Sequence, residues 1–155
     1  MTKTPVLYIF VRTEMPSMTP GKAQAHSGHA ANAFVFENFI KTKSNNALVK
    51  AWIHNETAQG FGTQINLKGS WDQITDAVTQ AISRGVIANF VTDPTYPYEV
   101  DAEVFELLSD GIHSADPVFK DNGRVVCFRA EQTAAYIFGD KEELESIVGK
   151  FPLHP

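Results

Sequence analysis

The longest uninterrupted apolar run near the start of the chain is Pro5 to Thr13, PVLYIFVRT, with polar residues only at its end. β-Branched and aromatic residues without alternation predict a strand buried on both faces, and therefore a central one. After the loop EMPSM, Thr19 offers an N-cap hydroxyl and Pro20 suits the first helical position, where a missing N–H costs nothing. A helix is predicted from Thr19 to about Lys41, ended by polar TKSNN. Counting about 100° per residue from Lys22, the side chains of His26, His29, Ala33, Phe36 and Ile40 share one narrow face, titratable at first and apolar beyond. A shorter helix over Ala47 to His54 is predicted to bury Leu48, Trp52 and Ile53. Gly60 to Lys68 alternates through Phe61, Thr63, Ile65 and Leu67 as a half-buried strand, which Gly69 and Ser70 break.

The clearest amphipathic helix is Trp71 to Arg84, with Trp71, Ile74, Val78, Ala81 and Ile82 at helical spacing, Ser70 as cap and Gly85 as stop. Val86 to Thr92 follows as a buried strand that ends at Asp93, in front of PTYPY. Strand, helix and strand in this order predict a βαβ unit with a right-handed crossover. Glu99 to Asp121 is less regular, with VFELL long enough for one or two helical turns. Asp121-Asn122-Gly123 is a turn signal before two strand-like runs, RVVCFRA and TAAYIF. Gly139 and Asp140 open a last short helix, KEELESIVGK, whose first-turn carboxylates suit the helix dipole. The alternation predicts an α/β fold: a single-domain three-layer α/β/α sandwich around a mixed, largely parallel sheet.

At 155 residues, 43% hydrophobic and 20% charged, the chain fits one domain with a full core. One cysteine rules out an intramolecular disulfide, and the N-terminal apolar run is too short for a membrane span, so a soluble, cytoplasmic protein is expected. The net charge of −5 is unevenly spread: residues 1–90 hold eight Lys and Arg against five Asp and Glu, residues 91–155 five against thirteen. A basic first half suits phosphate contacts without indicating nucleic-acid binding by itself.

Candidate chemistry gathers on the first helix. Free first-turn N–H groups, the positive helix end and the Lys22 ammonium together favour an anion or a developing negative charge beside two imidazoles. The competing reading is ordinary: lysine is usually solvated, and a histidine on a half-apolar helix is usually a hydrogen-bonded packing residue. His26 and His29 with no assigned carboxylate, and with Cys127 far off in sequence, fall short of a metal ligand set, so a metal is not expected. Ligands of α/β folds bind beyond the C-terminal ends of the strands. Two of those predicted ends are the loop from Arg12 to Lys22 and the turn at Asp93, which directs Lys22, the histidines and Asp93 towards one crevice.

These residues resemble a family. FVRTEM, then Met18, Gly21, Lys22, Ala25, His29, Ala30 and Ala31, match in register the V-R-T and M-x-x-G-K-x-A-A-Q-x-S-H-A-A opening of the archaeal and eukaryotic, type 2 peptidyl-tRNA hydrolases. FVTDPTYPY supplies Asp93 where that family has a strand ending in D-A-G-R-T-Q, and AAYIFGDKEELESIVGKFPL is similar to its C-terminal strand, acidic helix and hydrophobic tail. The likeness covers roughly residues 5–97 and 131–153, leaving an acidic insertion at about 98–130 within one domain of residues 1–155. The family's helix glutamine is His26 here, its serine is Gly28, the glycine two beyond the aspartate is Thr95, and the threonine four beyond it is Pro97.

The resemblance implies hydrolysis of the ester joining a peptide to the 3′ ribose of tRNA, without metal or organic cofactor. Lys22, His29 and Asp93 are the implied catalytic residues: Asp93 to orient or deprotonate water, Lys22 to neutralise an oxyanion or phosphate, His29 to position the site or shuttle a proton. His26, Thr95 and Arg12 are the expected substrate contacts, Thr95 standing in for the missing hydroxyl. Peptidyl-tRNA is the expected partner, with no membrane; a homodimer, and a protein partner for the insertion, stay open. Two alternatives stand beside this reading: a catalytically inactive relative that binds RNA or a protein, and a hydrolase of another small ester or amide.

Overall fold

The computed structural model describes residues 3–15, 17–43, 46–55, 61–108 and 115–154. Pro16 of the first loop, Ser44 and Asn45 of the helix-ending segment, the expected strand start at Gly60, and Asp110 of the acidic stretch lie outside them. The chain divides into two compact units, one of Met1–Val91 with Thr133–Pro155 and one of Thr92–Gln132. The insertion expected at about 98–130 falls within the sequence of the second.

The first unit is built on strand β1 (Pro5–Arg12), whose residues from Val6 to Val11 are all buried. A mixed sheet is formed by β1 with β2 (Thr63–Gly69), β3 (Ile87–Asp101), β4 (Ala115–Phe119) and β5 (Arg124–Asp140), of which β4, β3 from Thr92 and β5 as far as Gln132 belong to the second unit. Its order is β2-β1-β5-β3, with β4 on β5. β1 pairs in parallel with β2 and antiparallel with β5. The central position expected of β1 follows from its composition, since apolar side chains on both faces need cover on both sides. The free edge of β2 is met by the C-terminal segment, through Lys68 N–H to the Pro152 carbonyl and His154 N–H to the Asn66 carbonyl.

Helices cover both faces of this unit. α1 (Pro20–Val35) and α2 (Ala47–Ile53) bury Ala23, Ala30, Phe34, Val49 and Trp52 against Leu7, Ile9 and Val11. On the other face, α3 (Trp71–Ser83) and α5 (Lys141–Val148) bury Ile74, Ala77, Val78, Leu144 and Ile147 against Val6, Tyr8 and Phe10. The alternation of β1 side chains between the layers is the period-two pleat of a strand. The α/β three-layer architecture is thus present, with Thr19 capping α1 through Lys22 N–H and Ser70 closing a capping box with Gln73 on α3.

Several elements differ from the sequence pattern. α1 gives way at Phe36 to a π-helical stretch, Phe36–Lys41, and its buried stripe is Ala23, His26, Ser27, Ala30 and Phe34, while Phe36 and Ile40 face solvent. In α2 the buried pair is Val49 and Trp52, with Leu48 and Ile53 half-buried. Phe61 lies before β2 and is exposed, and Ile82 is exposed on α3, where Ala77 takes the core position. β2 and β3 are not neighbours, because β1 and β5 lie between them.

The second unit takes in β3 from Thr92, α4 (Ala102–Leu108), β4 and β5 as far as Gln132. β3 does not end at Asp93 but runs on to Asp101, and RVVCFRA and TAAYIF are parts of one strand. Pro94 and Pro97 mislead the sequence reading here: proline cannot donate to a ladder, yet it is tolerated in an edge strand, and β3 ends the sheet order. β4 and β5 form an antiparallel hairpin, Val118 opposite Val126 and Phe119 opposite Val125, turned at Asp121-Asn122-Gly123 with Gly123 at φ 75°. Tyr96, Val125 and Cys127 are buried in this unit, and the Arg129 guanidinium lies over the Tyr98 ring at 4.2 Å.

Candidate functional site

The end of β1 and the start of α1 hold most of the expected residues. Lys22 is half-buried in the first turn of α1, its N–H donating to Thr19 Oγ1 at 3.3 Å. Seven residues on, after almost two whole turns, His29 returns to the same side of the helix and is exposed. Helical side chains lean towards the N-terminus, so the His29 ring leans towards Lys22 over a Cα separation of about 10 Å along the axis. His26 lies between them but is turned inward. It is 5% exposed, and its Nδ1 is 3.1 Å from the hydroxyl of fully buried Thr133 on β5. The two imidazoles are neighbours, with ring centroids 5.7 Å apart and planes inclined by 58°.

The face of α1 is therefore split at its histidines. His26 sits on the margin of the buried stripe, and Lys22 and His29 lie just outside it. Burial and the Thr133 contact tie His26, the expected substrate contact, to β5, as is common for a histidine on a half-apolar helix. Its partner is 107 residues away in sequence, which no local pattern reveals.

A second polar contact, absent from the sequence reading, lies one residue further along the helix. Buried Ser27 donates to Asn66 Oδ1 at 2.8 Å, and Gln64 Nε2 donates to Asn66 Oδ1 at 3.1 Å and to Ser27 Oγ at 3.4 Å. Gln64 and Asn66 stand opposite Leu7 and Ile9 in the parallel register, so the face of β2 towards α1 is amide while its other face, Ile65 and Leu67, is apolar. The alternation TQINLK carries that signal, since polar residues at every second position of a strand share a face. At the far end of α1, Asn38 Nδ2 donates to the Phe34 carbonyl at 3.0 Å and to the Tyr136 hydroxyl at 3.2 Å. Burial outweighs the Asn38 and Asn89 hydrogen bonds and raises the Tyr136 pKa.

Arg12 closes β1, but it is engaged within the first unit. Its Nε pairs with Glu14 at 2.6 Å and its guanidinium lies 4.8 Å from the Trp71 ring centroid. A stacked, ion-paired arginine on its strand end is held in place, which suits a fixed positive group more than a mobile one.

Asp93 and Thr95 belong to the second unit. Asp93 Oδ1 accepts from Thr95 N–H at 2.8 Å and from Thr95 Oγ1 at 3.3 Å, so the carboxylate is folded over Pro94 onto its own strand. Asp and Asn commonly close such a turn two residues on. Thr95 thus spends its hydroxyl on Asp93.

A cleft of about 210 Å³ in the first unit, lined by Asn46, Arg84, Ile87, Phe138 and Glu143 among others, does not coincide with these residues. Phe138 and Gly139 pair with Leu7 and Val6 at the start of β1, whereas Thr133, the partner of His26, precedes Ala134, which pairs with Val11 at its end. Among the described residues no group of three or more His, Cys, Asp or Glu could hold a metal ion, and no helix is long and apolar enough to cross a membrane. Compared with models of known protein families and with curated proteins, the chain matches none.

Proposed function

We propose that the chain hydrolyses the ester between a peptide's C-terminus and the 3′ ribose of a tRNA. One observation carries the reading: an ammonium and an exposed imidazole, Lys22 and His29, stand on one side of α1 with the spacing that resembles the type 2 peptidyl-tRNA hydrolases. In this reading water adds to the ester carbonyl carbon, the carbonyl oxygen takes up the negative charge, and the bond to the ribose oxygen breaks as that oxygen gains a proton. Lys22 stabilises the developing oxyanion, aided by the positive N-terminus of α1. His29 carries the proton to the leaving oxygen. Asp93 receives the water-activating role from the resemblance. His26 supports His29 from within, held by Thr133.

The test is incubation of the purified chain with an N-blocked aminoacyl-tRNA. Release of the blocked amino acid, undiminished by a strong chelator, is the expected result. Binding without turnover would instead favour an inactive tRNA-binding relative, a reading to which the burial of His26 at the family's glutamine position lends weight. Neither binding nor turnover would overturn both and leave a hydrolase of another small ester or amide.

A further inference from the structure

The second unit carries large apolar side chains on its surface, and they are grouped. Leu107 is 85% exposed and Val104 41% on α4, and Phe119 is 66% exposed at the end of β4. Val104 and Leu107 are three residues apart and so neighbours on one helix face. Phe105, from the adjoining side of the same helix, meets the Phe119 ring edge-on at 5.7 Å, which joins helix and strand into one patch. Exposed leucines and phenylalanines are unremarkable singly, but contiguous ones on a small unit mark an interaction surface.

The charge around this patch selects its occupant. Residues 92–132 hold nine Asp and Glu against three Lys and Arg, a net of −6, while the rest of the chain has nine against ten. All three cations are spent inside the unit: Lys120 on Glu99, Arg124 on Glu99 and Asp101, and Arg129 on Glu131. Glu103 and Glu106, three residues apart beside Leu107, stay exposed, as do Asp116 and Asp121 at either end of the β4 segment. Such a net negative charge repels a second copy of this unit, a nucleic acid and an anionic lipid surface alike. It attracts a cationic segment, and the apolar centre gives that segment something to bury.

We infer that the α4–β4 face of the second unit is a docking surface for a basic, amphipathic segment of a partner protein, with apolar anchors seated on Val104, Leu107 and Phe119 and Lys or Arg facing Glu103, Glu106, Asp116 and Asp121. The arrangement is that of an amphipathic helix laid on an apolar face with a charged margin. It does not rest on the ester hydrolysis proposed above.

The experiment uses the whole chain, labelled with ¹⁵N, titrated with three synthetic peptides of equal length: an amphipathic Leu/Lys helix, oligolysine, and the same leucine pattern with Glu in place of Lys. The Leu/Lys peptide is expected to shift the amide resonances of residues 102–108 and 115–121, and to bind about tenfold or more tightly than either control, since both the anchor and the charge are needed. Leu107→Asp, at a site too exposed to support the core, should weaken it by a similar factor and leave ester hydrolysis unchanged. Equal binding of oligolysine would overturn the proposal as mere charge attraction, as would shifts confined to other residues. So would self-association of the free chain that Leu107→Asp abolishes, because the face would then cover a second copy.

Discussion

Lys22 and Asp140 are both charged groups at helix N-termini, and they illustrate different uses of the same dipole. Lys22 adds positive charge to an already positive helix end, an arrangement that is unfavourable for the helix and favourable for a bound anion. If it acts on transition-state charge, Lys22→Ala should lower turnover by about a hundredfold or more with little change in KM. A loss confined to KM would make it a phosphate anchor. Asp93→Asn keeps the shape and should fall as steeply in steady-state turnover, whereas near-normal activity would remove Asp93 as the base. Asp140 does the stabilising thing, accepting from Thr4 N–H at 2.7 Å and Glu142 N–H at 3.0 Å and so tying the start of β1 to α5. Burial pushes its pKa up, but the backbone donors of Thr4, Glu142 and Glu143 and the charge of Lys3 outweigh it and hold the pKa below the ordinary value. A folded-state pKa below the unfolded one, about 3.9, contributes stability above that pH and loses it as pH falls through the folded value. Asp140→Asn keeps a good cap but no charge. Its urea midpoint should therefore trail that of the wild type at neutral pH, and the gap should close as the wild-type carboxylate protonates; a gap that persists in strong acid would refute the assignment. At this scale the caps were legible because Thr19 and Ser70 act within three residues of themselves, whereas the Thr133 hydroxyl beside His26 and the Asn66 amide beside Ser27 are products of the fold.

Elements were legible where one periodicity runs without interruption. α3 is such a case: Ser70 accepts from Gln73 N–H and the Gln73 side chain accepts from Ser70 N–H, and Gly85 at φ 73° stops the chain one residue beyond the cap. Ser70→Ala should cost about 1 kcal/mol, read as a lower midpoint in chemical denaturation with an unchanged slope; no measurable loss would mean that tertiary packing of Ile74, Val78 and Ala81 alone fixes the helix start. The apolar pattern of β5 predicts two strands because RAEQ interrupts it. Backbone ladders do not depend on side-chain polarity, so the strand continues through the polar stretch. The end of α1 is helical as its pattern predicts, but its geometry is π-helical and Phe36 and Ile40 face solvent. The Asn38 amide occupies the Phe34 carbonyl four residues back, competing with the backbone donor of that turn, and the helix there widens to π spacing. A polar side chain choosing a carbonyl rather than solvent is set by what faces it, here the Tyr136 hydroxyl.

For the whole molecule, composition conveys the charge distribution directly, while strand order is beyond it, since β2 and β3 follow one another in the chain yet have two strands between them. The charge distribution makes its own prediction. A tRNA approaching from solution meets the field of the entire chain, net −5, to which residues 92–132 contribute more than the total. Glu103, Glu106, Asp116 and Asp121 are exposed, so replacing them with Gln, Gln, Asn and Asn removes four charges with little effect on packing and brings the net to −1. If the proposed substrate is right, this variant should bind uncharged tRNA more tightly than the wild type at low salt. The advantage should shrink at physiological ionic strength, where the screening length falls to about 8 Å. Fluorescence titration at the two salt concentrations, with circular dichroism to establish that the variant is folded, measures both quantities. Equal affinity of the two proteins at low salt would show that the acidic unit does not oppose tRNA. An advantage that survived undiminished at high salt would have to come from contacts, not from the long-range field.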